Sequence, residues 1–168
     1  MRLILAALAL ACAPMAFAQQ HEQVPCATDA SLPAELANWS GETAIATGAD
    51  AAAATAIQVG KGYEARLGKK AEVTFAIEPE RPGGSVSYSG IFAFDAPEGG
   101  NYAVALGSAA WIDVVEDGKA LEPLSFGHGP RCTTIRKKVV YSLKAGRHIL
   151  QIAGNGAETA KVLVTRLP

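Results

Sequence analysis

The segment Gly127-His128-Gly129-Pro130-Arg131-Cys132 sets a histidine four positions before a cysteine, in a stretch that glycine and proline keep irregular. An imidazole nitrogen and a thiolate are ligands for copper or zinc, and His21 and Cys26 would complete a four-donor set. The same residues also read as a disulfide between Cys26 and Cys132, with His128 an ordinary loop side chain. The two readings exclude each other at sulfur, and in an oxidising compartment oxidation takes precedence. No metal or other cofactor is then expected. His128 with His148 stays as an alternative for copper, zinc or iron, and the acidic turns as an alternative for calcium.

A second group lies in Trp111-Ile112-Asp113-Val114-Val115. If Ile112 and Val114 point into a core, Trp111 and Asp113 share the opposite face. An indole beside a carboxylate suits a sugar, whose ring offers an apolar face and whose edge offers hydroxyls. Trp39, Tyr63, Tyr88 and Tyr102 could extend such a platform, but filling the core is the ordinary use of aromatics. Should both faces of that sheet be covered, the platform fails. Trp111, Asp113, His128 and Arg131 are the residues expected to touch a ligand.

Other groups select less. Asp95, Glu98, Asp113, Glu116 and Asp117 lie near turns, and no spacing singles out an acid pair for glycoside hydrolysis. Arg131, Arg136, Lys137 and Lys138 could meet an anionic glycan or a lipid headgroup, but strand alternation divides them between two faces. There is no Ser-His-Asp ordering, no glycine-rich phosphate loop after a strand and no Cys-x-x-Cys. No catalytic residue is assigned, and binding is favoured over catalysis.

The elements that must position these groups follow from periodicity. Ser31-Leu32-Pro33 starts a short helix whose Leu32, Leu36 and Trp39 share a face, and Gly41 ends it. The alanine-rich stretch Asp50–Ala56 is one turn of helix or a linker. From Ile57 the period becomes two. Ile57, Val59, Tyr63, Ala65 and Leu67 alternate with polar residues, and Val73, Phe75 and Ile77 repeat the pattern. Strands follow over 86–94, 102–106 and 111–115. Asp117-Gly118 is a type I′ hairpin signal that joins 111–115 to 120–124 and sets Glu116 opposite Lys119. Residues 125–132 read as loop, with further strands over 133–143, 147–153 and 160–165. Many short strands, frequent turns and little helix predict an all-β, antiparallel, jelly-roll-like β-sandwich with a short N-terminal helix. An internal echo supports it. Phe94 to Leu106 and Tyr141 to Ile152 each run from an aromatic through a glycine turn to Tyr102 or His148 and then alternating aliphatics.

Those two segments resemble strand pairs of bacterial pre-peptidase C-terminal and carbohydrate-binding-like jelly-roll domains, a likeness of rhythm over roughly residues 57–166. It implies a non-catalytic domain that binds glycans, proteins or calcium. The whole chain also resembles short exported proteobacterial proteins through Gly83–Tyr88, Ala110–Val115 and Gly127–Cys132. Some of these bear the name homogentisate 1,2-dioxygenase. The iron of such an enzyme needs two histidines and a carboxylate. Three histidines in all, without a carboxylate at that spacing, carry no catalytic residue over.

Residues 1–18 read as a signal peptide: Arg2, the uncharged run Leu3–Ala13, then Ala16-Phe17-Ala18 at the cleavage site. The run is shorter than the roughly 20 residues a membrane helix needs. Acylation of Cys12, as in a lipoprotein, is the alternative. Removal leaves about 150 residues, one domain's worth, divided into an N-terminal segment over 19–56 and a β-sandwich over 57–168. The formal charge of −1 gives no reason to expect nucleic acid. A periplasmic or secreted binding protein is expected, its partner a glycan, an envelope component or another protein. A metal-binding protein built on His128, Cys132 and His148, or a purely structural envelope protein, are the other readings.

Overall fold

The computed structural model describes Cys26 and residues 31–168. The signal peptide, the Cys12 alternative and His21 lie outside the described residues. A 3-10 helix, Ala34–Ser40, comes first, followed by strands β1 (Thr43–Ala46), β2 (Thr55–Ala56), β3 (Gly62–Arg66) and β4 (Gly68–Lys69). Then come β5 (Tyr88–Ala96), β6 (Gly100–Leu106), β7 (Trp111–Glu116) and β8 (Lys119–Ala120). The last four are β9 (Ser125–Gly127), β10 (Lys137–Leu143), β11 (Gly146–Asn155) and β12 (Thr159–Arg166).

Two sheets face each other. One runs β1-β3-β12-β6-β10-β9; the other runs β2-β5-β11-β7-β8, with β4 also paired to β5. Along β3, β5, β6, β7, β8, β10, β11 and β12 the chain changes sheet at every step except the β7–β8 hairpin. That alternation is the jelly-roll arrangement. The frame is antiparallel, as expected, but both sheets are mixed at one edge, because β1 pairs with β3 and β2 with β5 in parallel. Between β1 and β3 the chain passes through the other sheet as β2, which supplies the crossover a parallel pair needs. Residues before 57 therefore extend both sheets.

The core is the set of inward alternate residues. Tyr63, Phe92, Phe94, Tyr102, Tyr141, Leu150, Ile152, Val162 and Val164 are all buried in it. The internal echo has a physical counterpart: Phe94 is the register partner of His148, and Tyr102 of Tyr141. The Phe94 and His148 rings stack with centroids 5.4 Å apart. Outside the sandwich, Leu36 and Trp39 pack with Ala105, Ile135 and Leu163, and Leu32 lies against them. Their three-residue spacing fits the tighter 3-10 winding. At the β7–β8 hairpin Asp117 (φ 51°) and Gly118 (φ 74°) both take positive φ, and Glu116 pairs with Lys119.

Three local readings change. Residues 73–78 are not a strand but a loop that covers only part of the second sheet's outer face, leaving Trp111 and Asp113 half-buried there, because the buried Gln151 amide takes over its backbone bonding. Its Oε1 accepts from the N–H groups of Ala76 and Ile77 (2.6 and 3.2 Å), and its Nε2 donates to the Ile77 carbonyl. The Asp50 carboxylate accepts from the N–H groups of Ala52 and Ala53, making a turn where one helical turn was the option, and Thr55-Ala56 then enters a sheet. Ser125–Gly127, read as loop, pairs with β10 as β9.

Among the described residues no helix is long and apolar enough to cross a membrane. Cys26 and Cys132 are joined in a disulfide, Cα atoms 5.1 Å apart and 106 positions apart in sequence. Such a link chiefly restricts the unfolded chain, so Cys132→Ser should cost about 2–4 kcal/mol. A thiol titration of the denatured, unreduced protein residues 19–168 should find no free thiol. Two free thiols, or a variant as stable as the parent, would contradict this account of the bridge.

Candidate binding cleft

Because β8 has only two residues, β7 is the edge of its sheet from Trp111 to Asp113. Edge carbonyls there are met by side chains of β10, a strand of the opposite sheet. The Tyr141 hydroxyl donates to the Ile112 carbonyl at 3.0 Å, and the Lys137 ammonium donates to the Ala110 carbonyl at 2.9 Å. Between these two strands opens a cleft of about 860 Å³, a volume in the ligand-site range.

Alternation places the first groups. Ile112 and Val114 are buried in the core, so Trp111 and Asp113 share the other face, both half-buried in the cleft lining. The Trp111 indole N–H donates to Asp113 Oδ1 at 2.8 Å, and Gln151 Nε2 donates to Oδ2 at 3.4 Å. Burial pushes the Asp113 carboxyl above the ordinary carboxylate range, against the pull of those two hydrogen bonds. Its oxygens are thus fixed in direction, and one of them points along the tryptophan edge.

Two cations stand beside the indole. Lys137 Nζ lies 5.4 Å and the Arg81 guanidinium carbon 5.6 Å from the Trp111 ring centroid, within cation–π range. Lys137 shares the inward phase of β10 with Val139 and Tyr141. Burial, with the Arg81 charge acting the same way, pulls its ammonium below the ordinary lysine value, while Asp113 acts in the opposite direction. Burial likewise raises the Tyr141 hydroxyl, with Asp113 and Glu122 adding to the effect, so it remains a donor. Phe126, on β9 of the other sheet, lines the same cleft and is 77% exposed.

Of the four expected ligand-contacting residues, the structure brings Trp111 and Asp113 together in the cleft. His128 and Arg131 are exposed and do not line it. Pairing of β9 with β10 ends at Gly127, and the chain then runs on towards Cys132. His128 Nδ1–H donates to the Arg136 carbonyl at 3.1 Å. The reading of Cys132 as a thiolate ligand is overturned, because its sulfur is bonded to Cys26. His148 is buried, with Nδ1 2.9 Å from the Gly146 carbonyl and Nε2 2.9 Å from Glu116 Oε2, so both ring nitrogens already face protein acceptors. Among the described residues no group of three or more His, Cys, Asp or Glu is gathered to hold a metal.

Sequence reasoning passed over Arg81, Phe126 and the inward position of Lys137. Lys137 left a signal, a charge on the apolar phase of an alternating strand. Phe126 left a weaker one, a lone aromatic among turn formers. Arg81 left none, since its loop is placed by Gln151 some seventy positions away in sequence.

At the other end of β7 a hydrogen-bonded network makes one carboxylate sensitive to acid. Glu116 accepts from the Lys144 ammonium at 2.8 Å, from the Lys144 backbone N–H at 3.0 Å and from His148. The Lys144 and His148 hydrogen bonds hold its carboxyl down from the ordinary 4.5 to about 2. A carboxylate depressed in the folded state stabilises above its ordinary value, and that contribution is lost as pH falls towards the folded value. Thermal midpoints should therefore drop between pH 4.5 and 2, more steeply in the parent than in Glu116→Gln. Equal slopes would rule the network out as a source of acid sensitivity. Comparison of the chain with protein-family models and with curated proteins finds no match.

Proposed function

We propose that the protein is an exported, non-catalytic sandwich that binds a glycan in the cleft between β7 and β10. The observation that carries this reading is the hydrogen-bonded pair of Trp111 and Asp113 on one face of β7, with the exposed ring of Phe126 on the other sheet. Aromatic rings receive the apolar face of a pyranose, while fixed carboxylate oxygens receive its hydroxyls. Glu78, Glu80 and Glu122 in the same lining add acceptors for further hydroxyls. The jelly-roll strand order is in keeping with the resemblance to carbohydrate-binding-like domains, although a fold alone does not name a ligand.

Export is supported by Arg2, the apolar run Leu3–Ala13 and the Ala16-Phe17-Ala18 site. A disulfide that ties residue 26 to residue 132 fits an oxidising compartment. No residue is given a bond-making role: the ligand is held and released unchanged.

Purified protein residues 19–168 applied to a printed glycan array should bind a subset of oligosaccharides. Trp111→Ala should weaken that binding by about tenfold or more, as loss of a central aromatic anchor does. Thermal midpoints measured alongside separate lost contact from lost fold. Binding unaffected by the substitution, or a blank array, would remove the cleft as a sugar site.

A further inference from the structure

We infer that the cleft selects acidic oligosaccharides, with Arg81 and Lys137 receiving a carboxylate or sulfate carried by a sugar ring. This rests on the glycan reading above and goes beyond it in naming the ligand class. Neither cation makes an ion pair among the described residues, although both line the cleft and both stand within 6 Å of the Trp111 ring.

Two like charges held near one indole repel each other, and Lys137 is half-buried, where an unpaired ammonium is costly. The closest remedy within the chain would be Asp113. Its oxygens are turned to Trp111 Nε1 and Gln151 Nε2, with lone pairs left for hydroxyls, and it acts on Lys137 only by charge without forming an ion pair. The Lys137 ammonium spends one donor on the Ala110 carbonyl and keeps two; the Arg81 guanidinium has five. An anionic group placed beside the indole would offset both charges, and it would bring its sugar ring alongside the aromatic surface. A guanidinium can take a carboxylate or a sulfate through two parallel hydrogen bonds. The acids of the lining, Glu78, Glu80, Glu122 and Asp113, oppose a uniformly anionic ligand. They favour one charge at a defined position along an otherwise hydroxyl-rich chain.

The test is an array that displays neutral oligosaccharides, carboxylate-bearing ones and sulfated ones on the same support. Acidic members should bind at least about tenfold more tightly than neutral ones of the same backbone, the discrimination expected of one charge-assisted contact. Arg81→Gln, on an exposed loop, should erase most of that preference by lowering acidic binding more than neutral binding, and should not alter the thermal midpoint. Lys137→Gln should reduce the same preference. Raising salt should weaken acidic binding selectively. Preference for carboxylated or for sulfated members identifies which acid is carried, and either supports the inference. Equal binding of neutral and acidic members overturns it while leaving the glycan reading standing. A preference untouched by Arg81→Gln also overturns it. No binding anywhere overturns both.

Discussion

A sheet that ends in a short strand must do something with its edge, and here the edge of β7 is answered by side chains rather than by backbone. The Tyr141 hydroxyl and the Lys137 ammonium reach from the opposite sheet to the carbonyls of Ile112 and Ala110. An edge left bare would invite pairing with another chain. A full strand there would have closed the gap between the sheets. Side-chain bonds do neither. They hold β7 to β10 and leave room beside them for the cleft.

The same residues link core and site. Tyr141 belongs to the buried core by its ring and to the cleft by its hydroxyl. Lys137 begins the strand whose next inward residues, Val139 and Tyr141, are core. Gln151 does for the outer face what Tyr141 does for the edge: its buried amide holds the loop over residues 76–77 and directs the Asp113 carboxylate. Few side chains therefore set the geometry of Trp111 and Asp113, and each also carries part of the fold's hydrogen bonding. The Glu116–His148–Lys144 network, on the other end of β7, fixes the neighbouring hairpin to the β10–β11 turn.

What was legible in the sequence follows rules of short range. Alternation through Trp111–Val115 put the tryptophan and aspartate on one face, Asp117-Gly118 specified its turn, and two cysteines specified a bridge. The paired echo of 94–106 and 141–152 marked the ring-bearing positions but not their pairing, in which Phe94 meets His148 and Tyr102 meets Tyr141. Reading failed where a distant side chain decides the backbone. Val73, Phe75 and Ile77 alternate as a strand would, yet Gln151 captures two of the N–H groups that a neighbouring strand would have taken. The parallel edges were hidden because nothing local marks a strand of two to four residues. His128 was singled out by its spacing from Cys132 and Arg131 by its place in a run of cations, whereas β9 delivers Phe126 to the cleft instead.

The two tryptophans provide a direct comparison within one molecule. Trp39, on the 3-10 helix, is buried with its indole N–H bound to Thr134 Oγ1 at 2.8 Å, while the Trp111 N–H lies in the cleft on Asp113. Nitrogen–proton correlation spectra of residues 19–168, recorded while a carboxylate-bearing oligosaccharide is added, report both indoles at once. The account requires the Trp111 indole resonance to move to saturation while that of Trp39 stays in place. A Trp111 signal that does not move, or a Trp39 signal that moves equally, would contradict a binding site between β7 and β10.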